Sequence, residues 1–138
     1  MTEEENRRWV LGGVASVIVI GLGLYALAIV DRILPVEVIT TQASWYSVAG
    51  SSPLTASGQT LQDDGMTCAS WDYPFGTVLK VTNLENGKSV QVVVNDRGPA
   101  KRLYAKGRRL DLSKGAFACI SDLKKGIISV NVQQLPAL

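Results

Sequence analysis

The apolar positions of this chain fall into two regimes. Trp9 to Val30 reads WVLGGVASVIVIGLGLYALAIV, 22 residues without a charge. At about 1.5 Å per residue, a helix of that length reaches about 33 Å, enough to cross a hydrocarbon core of about 30 Å. Every face of such a helix is apolar, and so short a chain has nothing else to enclose it as a buried soluble helix. The run therefore predicts an N-terminal transmembrane helix over 9–30. Arg7 and Arg8 precede it, and Arg32 alone lies close after it. The excess of basic residues on the N-terminal side makes 1–8 a cytoplasmic tail and sends the rest to the extracytoplasmic side. A cleaved signal peptide has an apolar core of about 7–15 residues and then a small-residue site. Here the run is longer and continues past Ala26 and Ala28, so a retained single-pass anchor in the cell membrane is expected. There is no Cys near it to carry a lipid.

Beyond the run the period shortens. Residues 31–41 read as a linker or the lead into a first strand, and 42–138 as one domain. VLKVTN (78–83) and SVQVVVN (89–95) are rich in β-branched residues and flank Leu84-Glu85-Asn86-Gly87, a hairpin loop. IISVNVQ (127–133) alternates apolar and polar positions, the period of a half-buried strand. ASWY (43–46) and MTCA (66–69) are shorter strand candidates. One helix is predicted from about Lys114 to Leu123, with Ser113 as its N-cap. Many short strands with glycine-rich turns and one short helix predict an all-β fold, a small closed barrel. The loop Ser47–Gly65 is polar and long, either a solvated connector or a functional loop.

Composition narrows the chemistry. The chain of 138 residues has a net charge of +2, no His and two Cys, Cys68 and Cys119. Without His, a zinc site of His and Cys is excluded, and no metal or cofactor is implied. On the exported side the two Cys either pair as a disulfide or stay as buried free thiols. Residues 42–138 hold 11 basic and 7 acidic residues, a net +4. The stretch Arg97, Lys101, Arg102, Lys106, Arg108, Arg109 contains no acid; it is either an electropositive rim for anionic ligands or a solvated loop. Nucleic acid is not expected as a partner outside the cytoplasm.

Five strings run in order: ASWY (43–46), LTASGQ (54–59), TCAS with YPFGT (67–77), VTNLENGKSVQVVVNDRGP (81–99) and RLDLSKGAF (109–117). Through them the domain resembles the rare lipoprotein A (RlpA) family over nearly all of 43–134. The resemblance implies a six-stranded double-psi β-barrel with one short helix. It also implies lytic transglycosylase activity, a lyase reaction on peptidoglycan glycan strands in cell-wall organisation. The same barrel occurs in expansins, so a non-catalytic glycan-binding module is the alternative, and a tethered structural partner of an envelope complex is a third. The family's site uses an acid after the SG of the TASG loop, a second acid three residues on, a His eleven residues after the first, and the Asp of NDRG. Those positions here hold Gln59, Gln62, Ser70 and Asp96. Asp96 is thus the candidate acid/base, or a turn cap. Asp111, framed by Leu110 and Leu112, is the candidate electrostatic support, or a buried acid at the helix start. Tyr46, Gln59, Ser70, Arg97, Arg108 and Arg109 are candidate substrate-binding residues. Trp45, Trp71, Tyr73 and Tyr104 are either core residues or sugar-stacking platforms.

The anchor is checked by alkaline extraction. The protein is expected to stay in the membrane fraction, with its C-terminal domain open to protease added outside the cytoplasm. A soluble mature form starting near Ile29 would overturn retention.

Overall fold

The computed structural model describes residues 22, 23, 25 and 36–137. Leu22, Gly23 and Tyr25 are helical. The rest of the expected span over 9–30, the 1–8 tail and residues 31–35 of the linker lie outside the described residues. Among those described, no helix is long and apolar enough to cross a membrane.

Six strands form the domain: β1 (Val38–Tyr46), β2 (Thr67–Ala69), β3 (Val78–Asn83), β4 (Ser89–Asp96), β5 (Arg108–Ser113) and β6 (Ile127–Gln134). They close into a barrel in the order β1-β5-β2-β4-β3-β6, with β6 pairing back onto β1. The sheet is mixed. β1/β5 and β2/β4 are parallel, and the other neighbours are antiparallel. Closure leaves no unpaired sheet edge.

Alternation explains which side chains meet inside. Leu79 and Val81 of β3, Val92 and Val94 of β4, Leu110 and Leu112 of β5, and Ile128, Val130 and Val132 of β6 are all buried. Each apolar side chain removed from water contributes about 1.5–3 kcal/mol. Helix α2 (Lys114–Ile120) adds Ala116, Phe117 and Ile120 to the same core. Its first turn is capped by Ser113 Oγ, which accepts from the Ala116 amide at 3.3 Å. Its last carbonyl, Ile120 O, accepts from the side-chain amides of Asn83 and Asn86 at 2.8 and 2.9 Å. Both ends of a short helix are thus satisfied by side chains.

Four sequence expectations change. Strand β1 starts at Val38, because Val38 to Thr41 pair with β6, so four residues of the expected linker belong to the barrel. The basic stretch is not a continuous loop: it holds a four-residue helix, α1 (Lys101–Tyr104), and the start of β5. Helix α2 ends at Ile120, since Ser121 is extended and Asp122 caps a separate 3-10 turn over Leu123–Lys125. Cys68 and Cys119 are unpaired: Cys68 faces the barrel core from β2, and Cys119 lies on the exposed side of α2. Burial pushes the Cys68 thiol up to about 12, which keeps it protonated and unreactive.

The loop before β2 is fastened to α2 by a close backbone approach. The Gly115 amide donates to Asp63 O at 2.6 Å. A Cβ on Gly115 would lie 2.8 Å from that oxygen and 2.9 Å from Asp64 Cα. Gly115→Ala is therefore expected to destabilise the domain by about 1–3 kcal/mol, the range for overpacking. Lys114→Ala, at the exposed neighbour, is expected to have little effect. Thermal unfolding of both variants checks the contrast.

Candidate active site

Strand β2 places the two candidate carboxylates. Ala69 pairs with Asp111 of β5 on one side and with Asp96 of β4 on the other. Asp111 in turn pairs with Ser44 of β1. The four residues form one row across four strands. At about 4.8 Å per strand, the backbones of Asp96 and Asp111 lie about 10 Å apart. Leu110 and Leu112 point into the core, so Asp111 between them points out. Asp96 shares its side because of a bulge. The register runs Cys68↔Val94 and then Ala69↔Asp96, which leaves Asn95 as the extra residue and turns Asp96 outward.

Each carboxylate is held differently. Asp96 Oδ1 accepts from its neighbour's amide, Arg97 N, and from Ala56 N of the TASG loop, both at 2.8 Å. The turn-capping role and an outward-facing acid thus coexist in one residue. Among the described residues, none donates to Oδ2 in hydrogen-bond geometry. Asp111 Oδ1 accepts from Ser44 Oγ at 2.5 Å, and the Arg108 Nε approaches it at 3.6 Å, an ion pair rather than a hydrogen bond. Burial pushes the Asp111 pKa up; Ser44 and Arg108 pull it down, and the charge of Asp96 adds to the rise, so the net direction is upward. The Tyr46 hydroxyl is buried beside both acids without reaching hydrogen-bond geometry. Burial, then the Asp96 charge, raises its pKa. Gly98 closes the row: a Cβ there would meet Ala69 Cβ at 3.3 Å and Asp111 Oδ2 at 3.5 Å.

Tyr46, Asp96, Arg108 and Asp111 are therefore brought together, and other candidates are not. The Arg97 guanidinium donates to the carbonyls of Ser70 and Tyr73 at 2.7 and 2.9 Å and lies over the Phe75 ring. It clamps the 70–75 loop instead of facing Asp96. Arg109 forms a two-point pair with Asp72, at 3.1 and 2.9 Å, and stacks on Tyr104. Ser70 is buried, and its Oγ accepts from the Asp72 amide at 3.1 Å. These three side chains have protein partners in the structure. Of the aromatics, Trp45 packs against the core, while Trp71 is exposed, with its indole N–H fixed to Pro99 O at 2.7 Å. Gln59 lines an open pocket beside the row, with Gln62 and Asn95. Sequence reasoning missed Ser44, Asn95 and Gly98. The NDRGP string carried Asn95 and Gly98, but nothing local to Ser44 announces its partner 67 residues away.

A mixed six-stranded barrel with two carboxylates in one row on its outer face is the class of protein these observations define. The family model described as "Lytic transglycolase" matches residues 38–132, and the chain belongs to that family, with RlpA proteins as its relatives. It is 40% identical over 100 residues to the "Probable endolytic peptidoglycan transglycosylase RlpA" of Treponema pallidum, covering 71% of this chain and 30% of that protein. It is also 40% identical over 91 residues to the "Endolytic peptidoglycan transglycosylase RlpA" of Campylobacter jejuni, covering 66% and 32%. The chain thus spans about a third of the length of these relatives. Among solved structures, an expansin of Clavibacter michiganensis superposes with a TM-score of 0.57 at 26% identity, covering 74% of this chain and 53% of the other. The Streptomyces papain inhibitor shares the fold with a TM-score of 0.57 at 20% identity, covering 74% and 98%.

The Asp72 cluster yields a pH prediction. Burial pushes the Asp72 pKa up, but the hydrogen bonds from Arg109 and Tyr104 outweigh it, and the net direction is down. A folded pKa below the unfolded one gives stability that is present above the unfolded value of about 3.9 and is lost as pH falls through the folded value. Asp72→Asn is expected to lower the melting temperature at pH 7 and to flatten the loss of stability below about pH 4. Melting curves from pH 7 to well below about pH 4 check both.

Proposed function

We propose that the groove cleaves peptidoglycan glycan strands as a lytic transglycosylase, with Asp96 as acid/base and Asp111 as electrostatic support. The observation that carries this reading is the Asp96–Ala69–Asp111 row, with Asp96 fixed by two amides at one oxygen and unclaimed by any described donor at the other. The names of the relatives support the same substrate. In this reaction one acid suffices. Asp96 gives its proton to the leaving glycosidic oxygen as the C1–O bond breaks. The muramic acid 6-hydroxyl then attacks C1, and its proton returns to Asp96. The nucleophile belongs to the substrate, so no second carboxylate has to activate water, as ordinary glycoside hydrolysis requires. Asp111, oriented by Ser44 and Arg108, sets a negative charge near the positive character that develops at C1. The reaction lies on the extracytoplasmic side, where an N-terminal helix over 9–30 holds the domain at the cell membrane.

One observation favours a non-catalytic, expansin-like glycan-binding module instead. The positions of the family's other acids and His hold Gln59, Gln62 and Ser70, and the Ser70 hydroxyl is already engaged.

Incubation with purified sacculi separates the two readings. The wild type is expected to release 1,6-anhydro-muramic products. Asp96→Asn is expected to cut that release by about 10²–10⁴-fold, the usual contribution of a general acid–base, with sacculus binding nearly unchanged. A wild type that binds sacculi and releases nothing above background would establish the binding module.

A further inference from the structure

The pocket beside the carboxylate row has a chemistry of its own. It is a cavity of about 510 Å3 lined by Gly58, Gln59, Thr60, Gln62, Gly65, Thr67 and Asn95. That volume falls within the range of about 300–1,000 Å3 that small-molecule sites take. None of the lining residues is ionisable, although the row next to it carries two carboxylates. The polar groups are three carboxamides and two hydroxyls, which recognise neutral hydrogen-bonding ligands and give no ionic attraction.

Asn95 makes the pocket more than a gap under a loop. It is the bulge residue of β4 and is 4% exposed. Its Nδ2 donates to Gln59 Oε1 at 3.2 Å, and its Oδ1 is buried with no partner among the described residues. A buried acceptor without a donor is costly, so a ligand that brings a donor to it gains that difference on binding. Around it, Gln62 is exposed, and its side chain makes no hydrogen bond among the described residues. The pocket thus presents an orphaned acceptor at its base and free amide donors at its rim.

We propose that this pocket is a subsite for the acetamido group of an uncharged 2-acetamido sugar. The acetamido N–H donates to Asn95 Oδ1, and its carbonyl accepts from the free amides of Gln59 and Gln62. A hydroxyl in place of the acetamido group reaches fewer of these partners. The inference rests on the glycan reading of the groove, and it assigns the two glutamines to recognition rather than to chemistry. Asp96 bounds the subsite through the TASG loop, which lies over Asn95 by the Ser57 N to Asn95 O hydrogen bond and on Asp96 by the Ala56 amide. A sugar seated in the pocket therefore sits next to the acid.

Calorimetric titration of the full chain carrying Asp96→Asn, which removes turnover, tests this with chitotetraose and cellotetraose. The two differ in the group at C2. Chitotetraose is expected to bind about ten-fold more tightly, a difference of the order of one or two hydrogen bonds. Adding Gln62→Leu is expected to bring the two affinities close together by weakening chitotetraose alone. That variant spares the fold, because Gln62 is exposed and holds nothing else. Equal affinities before the change, or a preference that survives it, would overturn the subsite. Discrimination by this variant, together with a wild type that releases nothing from sacculi, would support the subsite and remove the catalytic reading. Cleavage without discrimination would keep the catalytic reading and overturn the subsite.

Discussion

Three residues of β2 are wedged between β4 and β5, and the arrangement of the site depends on how they pair. Thr67 and Cys68 take their register from Val93 and Val94. Cys68 and Ala69 take it from Leu112 and Asp111. One short strand therefore fixes two longer ones relative to each other, and it does so in parallel on one side and antiparallel on the other. A slip of one residue in either ladder would turn one carboxylate into the core. The core resists such a slip, because a shift of β4 would take Val94 out of it and a shift of β5 would take Leu112 out.

The same pairing explains why the side chains above the row must be small. Ala69 separates the acids, and Gly98 lies against it, where a Cβ would crowd both Ala69 and Asp111. The loops above are held by polar groups that the sequence places far apart. Arg97 binds the Ser70 and Tyr73 carbonyls, Arg109 binds Asp72, and Trp71 binds Pro99. Much of the basic character of 97–109 thus goes into ordering loops, and Arg108 is the arginine that faces the acid row. Two carboxylates of one chain consequently respond to their surroundings in opposite directions. Burial dominates at Asp111, and hydrogen bonds from Arg109 and Tyr104 dominate at Asp72.

Departures from the family's pattern acquire a structural meaning on this frame. Gln59 and Gln62 line one uncharged pocket with Asn95, while Asp96 and Asp111 remain in the row beside it. Ser70 is turned inward as a cap, so its position no longer offers a group to the groove. The chain thus separates a neutral, amide-lined pocket from a carboxylate pair, and the proposed roles of recognition and proton transfer divide along the same line.

Local pattern was enough for the elements whose neighbours are close in sequence. The β3–β4 hairpin, the Ser113 cap and the start of α2 follow from β-branching and capping, because each depends on contacts within a few residues; β6 shows in its own alternation, although its partners β1 and β3 are distant. The NDRGP string marked Asp96, and the apolar frame of Leu110 and Leu112 marked Asp111, since both signals sit beside the residue itself. Position relative to distant strands was not legible. Strand β5 is short and opens with two arginines, so only its pairing with β1 and β2 makes it a strand. The partners of Arg97, Arg109 and Ser70 lie on other loops. The separation of Cys68 from Cys119 follows from one facing the barrel core and the other the exposed side of α2. The bulge at Asn95, which aims Asp96 and leaves a buried acceptor in the pocket, arises from a mismatch between two ladders. Sequence determined which residues could form strands and carry charge. The closed barrel decided which of them share a face, because register is set by the joint burial of side chains from all six strands.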